Sequence, residues 1–325
     1  MTAHAEPDRR NLRARFHVAS WRPAREVPRP FVRHRNPVPS PGRVWHDPVG
    51  EGVPLLTVVI PTSDANRNGY FEQLLGQLSR QTLQHYELIV VLGDPCQGRA
   101  INIAAALAQG RYFLILDDDT SLHAPEAIAN LVAVIEARPE IGLAGGNNVI
   151  PDDASPFVRR VMRQIPRRSW VPVREVTESD LAEHPCLIMR TEEFKAVGGE
   201  NEWLPRGLDP YLRQAFRDLG KLVVVVPGVI YSHLPPATWR GLFRQFVRNG
   251  RHAAFVNRHY PHWVIETPSD HGAFPRRAPS WVRAARFPWQ LAKALLTGKP
   301  VWCLCEIAYA VGFLQEQWLR KEQRL

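Results

Sequence analysis

The sequence predicts an α/β fold with a mostly parallel sheet, helices on both faces of that sheet and a helical extension at the C-terminal end. The first observation is that short apolar runs alternate with helical patterns between residues 55 and 144, which is typical of parallel strands joined by crossover helices. The second is that these runs are apolar almost without interruption, as in strands buried on both faces. At 325 residues and 45% apolar content, the chain also has enough material for a large core.

The predicted elements follow one another along the chain. Strands are predicted at residues 55–60, 87–92, 112–116, 141–144, 186–189, 222–226 and 229–232, the last two separated by Pro227-Gly228. Helices are predicted at residues 70–83, 100–108, 124–137, 191–197, 210–219 and 239–260. Between residues 151 and 183, Pro, Arg and acidic residues alternate without a period, so this stretch is predicted to be a surface excursion.

Three segments differ in composition. Residues 1–50 carry eight prolines and ten arginines without an apolar period, which predicts a flexible tail or a loosely docked arm. Residues 51–263 hold the alternating pattern and form the predicted main domain, and residues 264–325 form the predicted helical extension. In this extension an apolar helical stripe lies among Trp and basic residues, which suits either a bilayer interface or packing on the main domain. The members of this stripe are Leu304, Ile307, Val311, Leu314 and Trp318.

The net charge of +9 is concentrated at the two ends of the chain. Residues 1–50 have 10 basic and 4 acidic residues, residues 276–325 have 9 and 3, and the residues between them have 22 and 25. A nucleic-acid-binding domain concentrates basic charge on its folded body, so no nucleic-acid partner is expected. The basic ends instead predict peripheral contact with an anionic membrane. Four irregularly spaced cysteines, an N-terminus without an apolar leader and the absence of a spanning apolar run favour a cytoplasmic location, peripheral on the inner face of the membrane.

Three consecutive carboxylates, Asp117, Asp118 and Asp119, directly follow the predicted strand at residues 112–116. In open α/β sheets, ligands bind beyond the carboxyl ends of the strands, and neighbouring carboxylates favour a divalent cation. An acidic turn that caps the next helix, beginning near Pro125, gives the same pattern. The sequence therefore predicts a cation site at this position, with a helix cap as the alternative.

An ordered series of motifs surrounds this aspartate cluster. Its members are Val58-Val59-Ile60-Pro61-Thr62, Arg99-Ala100-Ile101-Asn102, Leu116 through Asp119, Gly198-Gly199 with Glu200-Asn201-Glu202, Gly207-Leu208-Asp209, Gly220, Pro227 and His233. The series resembles the inverting GT-A glycosyltransferases of family 2 and covers residues 55–261. The resemblance implies a GT-A fold, which is Rossmann-like, and transfer of a sugar from a nucleotide diphosphate sugar to a hydroxyl acceptor.

The resemblance also implies a metal-assisted donor site. In such enzymes the second and third aspartates of the motif face the ribose and the metal, which assigns Asp118 and Asp119 to Mg²⁺ or Mn²⁺, with Asp117 at the strand end. The position of His233 is similar to one where related enzymes complete the metal site with an imidazole. A purely structural histidine at a strand end is the alternative. The metal is expected to neutralise the charge of the departing nucleoside diphosphate.

Asp209 stands where the family has a general base for the acceptor hydroxyl. An inverting transfer is a single displacement, so it needs a base and no enzyme nucleophile. Leu208 occupies the place where the family usually has Glu, a difference that bears on acceptor binding. The alternative is that Asp209 caps a helix that begins at Pro210.

Further residues are expected to contact the donor because of the resemblance and their places after strands. These residues are Pro61, Thr62, Asp64, Asp94, Arg99, Asn102, Asp117, Asp118, Gln245 and Arg248. Asp64 and Asp94 are candidates for contact with the nucleotide base, and Arg99 for contact with the diphosphate. The alternatives are a solvated Arg99 at the start of a helix and an Asn102 that holds the loop by hydrogen bonds. Arg248 belongs to a helical stripe of four arginines, which binds phosphates if it faces the cleft and is otherwise a solvated basic face.

The expected function is therefore an inverting sugar transfer, with two alternatives. A nucleotidyltransferase would need a glycine-rich basic loop early in the chain, which Pro61-Thr62-Ser63-Asp64 is not. A noncatalytic nucleotide-sugar-binding protein would not need Asp118, Asp119 and Asp209 together. Acceptors in polysaccharide biosynthesis, lipid-linked acceptors and small molecules all stay open.

Overall fold

A computed structural model of the protein describes residues 11–48, 52–261, 271 and 278–322. Its strands are β1 Arg22–Pro23, β2 Arg43–Asp47, β3 Leu56–Thr62, β4 Tyr86–Leu92, β5 Tyr112–Ile115, β6 Thr120–Leu122, β7 Ile141–Asn148, β8 Thr177–Glu178, β9 Leu187–Arg190 and β10 Leu222–His233. Its helices are α1 Leu12–His17, α2 Tyr70–Leu78, α3 Gln97–Leu107, α4 Ala127–Ala137, α5 Pro156–Gln164, α6 Thr191–Ala196, α7 Leu208–Asp218, α8 Trp239–His259, α9 Ser280–Leu296 and α10 Pro300–Glu322.

The strands form one mixed sheet in the order β1-β2-β4-β3-β5-β9-β7-β10-β6, with β8 pairing to β10. Strands β4, β3 and β5 are parallel, and so are β7 and β10. Strand β9 lies antiparallel between β5 and β7, so these two neighbours run in the same direction. The predicted α/β fold is confirmed, with antiparallel pairs added at β9 and towards both sheet edges.

The two faces of β3 show why its apolar run is continuous. Leu56, Val58 and Ile60 are buried in the cluster that includes residues of α2 and α4. Val59 is buried in the opposite cluster, with residues of α3 and α7. A strand whose alternate side chains enter two cores has no solvent face, so it needs no polar alternation.

The N-terminal segment is docked on the sheet, which corrects the prediction of a flexible tail or loosely docked arm for residues 11–48. Strand β2 pairs antiparallel with β4 over its whole length. Leu12 and Trp45 are buried in a core, and the buried Arg29 guanidinium binds the Glu202 carboxylate at 2.5 and 2.9 Å. The prolines lie mainly in the connections, and β2 itself has none. Residues 1–10, which were part of the same prediction, lie outside the described residues.

Two other predictions are corrected by the fold. Residues 222–233 form the single strand β10 rather than two strands, because the break at Pro227-Gly228 is absorbed as a register shift between Val225 and Ile230. Gly228 has φ +73°, a conformation that glycine adopts at little cost. The predicted surface excursion at residues 151–183 contains α5, whose Val161 is fully buried.

Helices α8 and α10 approach each other so closely that their backbones touch. A Cβ added at Gly250 would lie 2.0 Å from the carbonyl oxygen of Tyr309, and one added at Gly312 would lie 1.9 Å from that of Val247. The predicted stripe of α10 faces away from this contact, because every member is at least 37% exposed. Within the described ranges, no helix combines the length and apolar character that a bilayer span requires.

Candidate active site

The aspartate cluster and His233 meet at the carboxyl ends of the central strands. Asp117, Asp118 and Asp119 lie between β5 and β6, and β6 pairs with β10 so that Thr120 is opposite His233. This register brings the His233 Nε2 to 3.1 Å from the Asp119 Oδ1. Among the described residues, Asp117, Asp119 and His233 offer ligand atoms that all lie within 4.8 Å of one another.

The electrostatics of this cluster suit a bound cation. Burial raises the pKa of Asp117 to about 6, with a further contribution from the negative charge of Asp119. Burial acts in the same direction on Asp119, but the charges of His233 and Arg67 outweigh it and hold the pKa of Asp119 below its usual range. Burial lowers the pKa of His233, yet Asp119 and Asp117 more than compensate and the pKa is raised. The cluster is thus a buried concentration of negative charge that His233 and Arg67 only partly offset.

The residues present fit a divalent metal. The Asp119 Oδ1 is buried and forms no hydrogen bond within the described part of the chain, despite its proximity to His233. A buried oxygen without a hydrogen bond is costly unless another group satisfies it. Two carboxylates and one imidazole are a donor set that Mg²⁺ or Mn²⁺ accepts. Asp119 and His233 were both predicted as ligands, whereas the third member of the cluster is Asp117, not Asp118.

Asp118 points to the loop after β3 instead. Its Oδ2 accepts a hydrogen bond of 2.6 Å from the Thr62 hydroxyl, and its Oδ1 lies 3.4 Å from the Arg67 Nε. The same Nε donates to Asp119 at 2.9 Å. Arg67 has φ +46°, and the Asp64 carboxylate stabilises this left-handed turn by accepting from the amides of residues 66 and 67 at 3.0 Å each. Thr62 and Asp64 therefore shape the loop beside the cluster, and Arg67 is a residue of this cluster that the sequence analysis did not identify.

Asp209 is held by a histidine rather than used as a helix cap. Helix α7 begins at Leu208 with Gly207 as its N-cap, and no side chain caps it. The Asp209 Oδ1 instead contacts the His184 Nδ1 at 2.5 Å and accepts from the His184 amide at 2.8 Å. The other ring nitrogen of His184 lies 2.7 Å from the Glu200 Oε1. The helix-cap alternative for Asp209 is therefore wrong.

This arrangement keeps Asp209 ionised. Burial alone would lower the pKa of His184, but Asp209 and Glu200 outweigh it and raise the pKa well above its usual value. In return, the charge of His184 overcomes the effect of burial on Asp209 and lowers the pKa of that carboxyl. The Asp209 side chain is still 29% exposed. Both contacts use Oδ1, so Oδ2 is the oxygen available to a ligand, and the charges of Asp209 and His184 act on Asp117 across the same cleft.

Comparisons with known proteins agree with this geometry. Residues 96–191 match the family described as glycosyl transferase family 2, a range that contains the aspartate cluster and His184. This match supports a glycosyltransferase of the family 2 type. A search of curated protein sequences finds no match. Asp209 and His233 lie beyond the matched residues, so their assignment depends on the structure.

The fold of this glycosyltransferase is also found in solved structures of other proteins. It is similar to the mannosyltransferase PcManGT from Pyrobaculum calidifontis, a structure in complex with GDP-Man and Mn²⁺, with 16% sequence identity and a TM-score of 0.53 over 83% of this chain and 89% of that one. It also matches residues 1–349 of TarS from S. aureus with 14% identity and a TM-score of 0.41, over 82% of this chain and 91% of that one. The fold is GT-A, as the resemblance implied.

Three residues that were predicted to contact the donor form hydrogen bonds within the protein. The buried Arg99 donates to both carboxylate oxygens of Asp94, at 2.8 and 2.9 Å, and to the carbonyl oxygen of Val38 at 2.7 Å. The Asn102 amide bonds to the Glu200 backbone through both its oxygen and its nitrogen. The donor contacts of Asp94, Arg99 and Asn102 stay predictions beside these internal hydrogen bonds. Their polar groups hold the N-terminal segment and the loop after α6.

Gln245 and Arg248 lie on different sides of α8. The Gln245 Oε1 accepts from Arg168 at 3.3 Å, and the charge of Asp119 acts on the pKa of Arg168. Gln245 therefore belongs to the cleft side of the helix. Arg248 lines a groove between α8 and α10, and its contact with the donor stays a prediction. Pro61 lies within β3 and is buried, one residue before Thr62.

Proposed function

We propose that this glycosyltransferase moves a sugar from a nucleoside diphosphate sugar to an acceptor hydroxyl in one inverting displacement. The observation that carries the proposal is the placement of Asp209, which is oriented by His184 in the cleft of the aspartate cluster rather than used as a helix cap. A helix-capping aspartate would have its carboxylate satisfied by backbone amides at the start of its own helix. A carboxylate held at one oxygen and exposed at the other is suited to accept a proton.

The donor side of the proposal rests on the metal cluster. Asp117, Asp119 and His233 would hold Mg²⁺ or Mn²⁺, and this cation would offset the charge of the nucleoside diphosphate as it leaves. Asp118, kept in place by Thr62, faces the donor. The printed ligands of the Pyrobaculum mannosyltransferase, GDP-Man and Mn²⁺, support the same donor class here.

The acceptor side of the proposal rests on the carboxylate. In the displacement, the bond from the anomeric carbon to the diphosphate oxygen breaks while the acceptor oxygen forms a bond to the same carbon. The proton of the acceptor hydroxyl passes to Asp209, and the nucleoside diphosphate departs with the electron pair of the broken bond. The positive charge of His184 keeps Asp209 ionised before the reaction, so the base is ready at neutral pH.

We further propose peripheral contact with the inner face of a membrane and an acceptor in polysaccharide or lipid-linked glycan synthesis. Exposed aromatic residues support this contact. Trp281 and Trp289 on α9 are 75% and 66% exposed, and Trp318 on α10 is 72% exposed. Tryptophan beside Lys and Arg is typical of a protein surface that lies at the headgroup level of a bilayer. The predicted basic ends contribute further positive charge, although residues 1–10 and 323–325 lie outside the described residues.

The proposal is tested with a panel of nucleotide sugars, with and without Mn²⁺. A donor at about 100 times its dissociation constant should raise the free energy of unfolding by about 2.7 kcal/mol. The stabilising donor should then be consumed with an acceptor, and NMR of the first product should show inversion at the anomeric carbon. Retention of configuration would contradict the single displacement, and stabilisation that does not need metal would contradict the cluster assignment.

A further inference from the structure

A groove between α8 and α10 lies outside the catalytic cleft and is strongly basic. Helix α10 contributes Glu316 to its lining, and α8 contributes Phe243, Arg244, Val247, Arg248, Arg251 and His252. The three arginines are exposed and follow one another at spacings of four and three residues, so they lie on one face of the helix. Arg251 donates to Gln315 of α10 at 2.8 Å, which places its side chain across the groove.

The chemistry of these arginines favours a phosphate. Guanidinium groups present paired donors that match the oxygens of a phosphate, and they are less strongly hydrated than ammonium groups. Within the described residues, Glu316 is the one carboxylate that lines the groove. The groove therefore carries a net positive charge that the reaction at the aspartate cluster does not use.

Two further arginines, Arg206 and Arg168, contact α8 at residues next to the groove arginines. His252 feels the charges of Arg248 and Arg206, which lower its pKa in addition to the effect of burial. Arg206 donates to the carbonyl oxygen of Asn249 at 3.4 Å, so it lies against α8. Burial lowers the pKa of Arg168, and the charge of Arg206 lowers it further. Arg168 in turn donates to Gln245 at 3.3 Å.

Apolar side chains border the same groove. Phe243, which is 41% exposed, and Val247 line it beside the arginines. A phosphate in water would gain nothing from these groups, whereas a lipid phosphate would present its acyl or prenyl chains to them. Positive charge next to exposed apolar residues is the complement of an anionic lipid head group.

We propose that the groove between α8 and α10 binds the phosphate head group of a bilayer lipid and so orients the cleft towards a lipid-carried acceptor. This inference rests on the membrane contact of the proposed function and identifies the side chains that make it specific. The three groove arginines hold the phosphate, and Phe243 and Val247 lie beside them for the lipid chains.

The experiment is flotation of the full chain with phosphatidylcholine vesicles, with and without phosphatidic acid. The variant R244Q/R248Q/R251Q is compared with R25Q/R80Q/R174Q, which removes the same charge from exposed arginines away from the groove. The unchanged protein should float with phosphatidic acid vesicles, and the groove variant should bind them about a hundredfold more weakly, since three membrane-proximal cations are lost. The matched control should stay close to the unchanged protein.

A second arm separates lipid phosphate from free phosphate. Inorganic phosphate, compared with chloride at equal ionic strength, should leave vesicle binding unchanged; loss of binding only with phosphate would show a site for a soluble anion and overturn the lipid assignment. Equal loss in both triple variants would reduce the groove to general surface charge and overturn it as well. Stabilisation by Mn²⁺ with a nucleotide sugar, measured on the groove variant, shows that the cleft is folded. Flotation can therefore fail while donor binding and sugar transfer persist, which separates this inference from the proposed function.

Discussion

Replacing Asp209 with Asn tests whether this carboxylate is a general base or has only a structural role. The change keeps the size of the side chain and an oxygen that can accept from His184, but it removes the negative charge and the basicity. We expect the transfer rate to fall about a hundredfold or more, which corresponds to roughly 2.7 kcal/mol in the activation free energy. The dissociation constant of the donor should hardly change, because Asp209 acts on the acceptor.

The structure also indicates how much Asp209→Asn should lower the free energy of unfolding. Asp209 lies in the first turn of α7, where loss of a negative charge costs about 0.3–1 kcal/mol. Loss of the charge-assisted contact with His184 adds about 1.5–3 kcal/mol. The protein should therefore remain folded, with a lower melting temperature that thermal unfolding measures directly.

The matched control is Asp218→Asn at the other end of α7, where the exposed carboxylate accepts only from Gln214 within the same turn. This variant should change neither the rate nor the free energy of unfolding by more than about 0.5 kcal/mol. Single-turnover kinetics and donor titration on both variants decide the question. Asp209→Asn turnover within tenfold of the unchanged enzyme would refute the base assignment, and so would parallel loss of donor binding and folding.

Three further predictions concern the metal, the histidine and the helix contact. Asp119→Asn should weaken Mn²⁺ binding by at least tenfold in a calorimetric titration, because it removes a charged ligand from the cluster; unchanged affinity would exclude Asp119 as a ligand. The pKa of His184 is raised in the folded state. The protonated imidazole therefore contributes its full stabilisation below about pH 6.5, and this contribution declines as the pH rises through the pKa of His184 in the folded protein. Urea unfolding between neutral and alkaline pH should show this decline, and His184→Gln should abolish it; an equal slope in both proteins would contradict the assignment. Gly250→Ala should lower the free energy of unfolding by about 1–3 kcal/mol, because its methyl group would collide with the Tyr309 carbonyl oxygen, whereas an unchanged melting temperature would mean that α8 and α10 are not packed this closely.

The central strands could be predicted from sequence because their environment leaves a local signal. Strand β3 is buried on both faces, so every position is apolar or a small polar group, and the run is visible without knowledge of its partners. Strand β2 has no such signal, because it is five residues long and includes Arg43 and Asp47. Its place in the sheet depends on pairing with β4, about forty residues later, and on the buried contact between Arg29 and Glu202. Non-local contacts of this kind leave no period in the sequence.

The candidate site divides in the same way. The aspartates follow a recognisable strand, so their location was predictable, but which carboxylate faces His233 depends on the pairing of β6 with β10. That pairing selects Asp117 with Asp119. His184 was missed because it precedes β9 in a stretch without periodicity, and its partners come from positions 16 and 25 residues later. Glu200 was noted only as part of an acidic segment, and its contact with His184 required the fold.

The most direct test of the central claim is the release of nucleoside diphosphate from nucleotide sugars, measured with added Mn²⁺ and with a chelator. The proposed function predicts that at least one nucleotide sugar is turned over with an acceptor present, that the chelator abolishes the release, and that Asp119→Asn reduces it in parallel with the loss of Mn²⁺ binding. Turnover that persists at full rate in the chelator would contradict the metal-assisted transfer at the cluster of Asp117, Asp119 and His233.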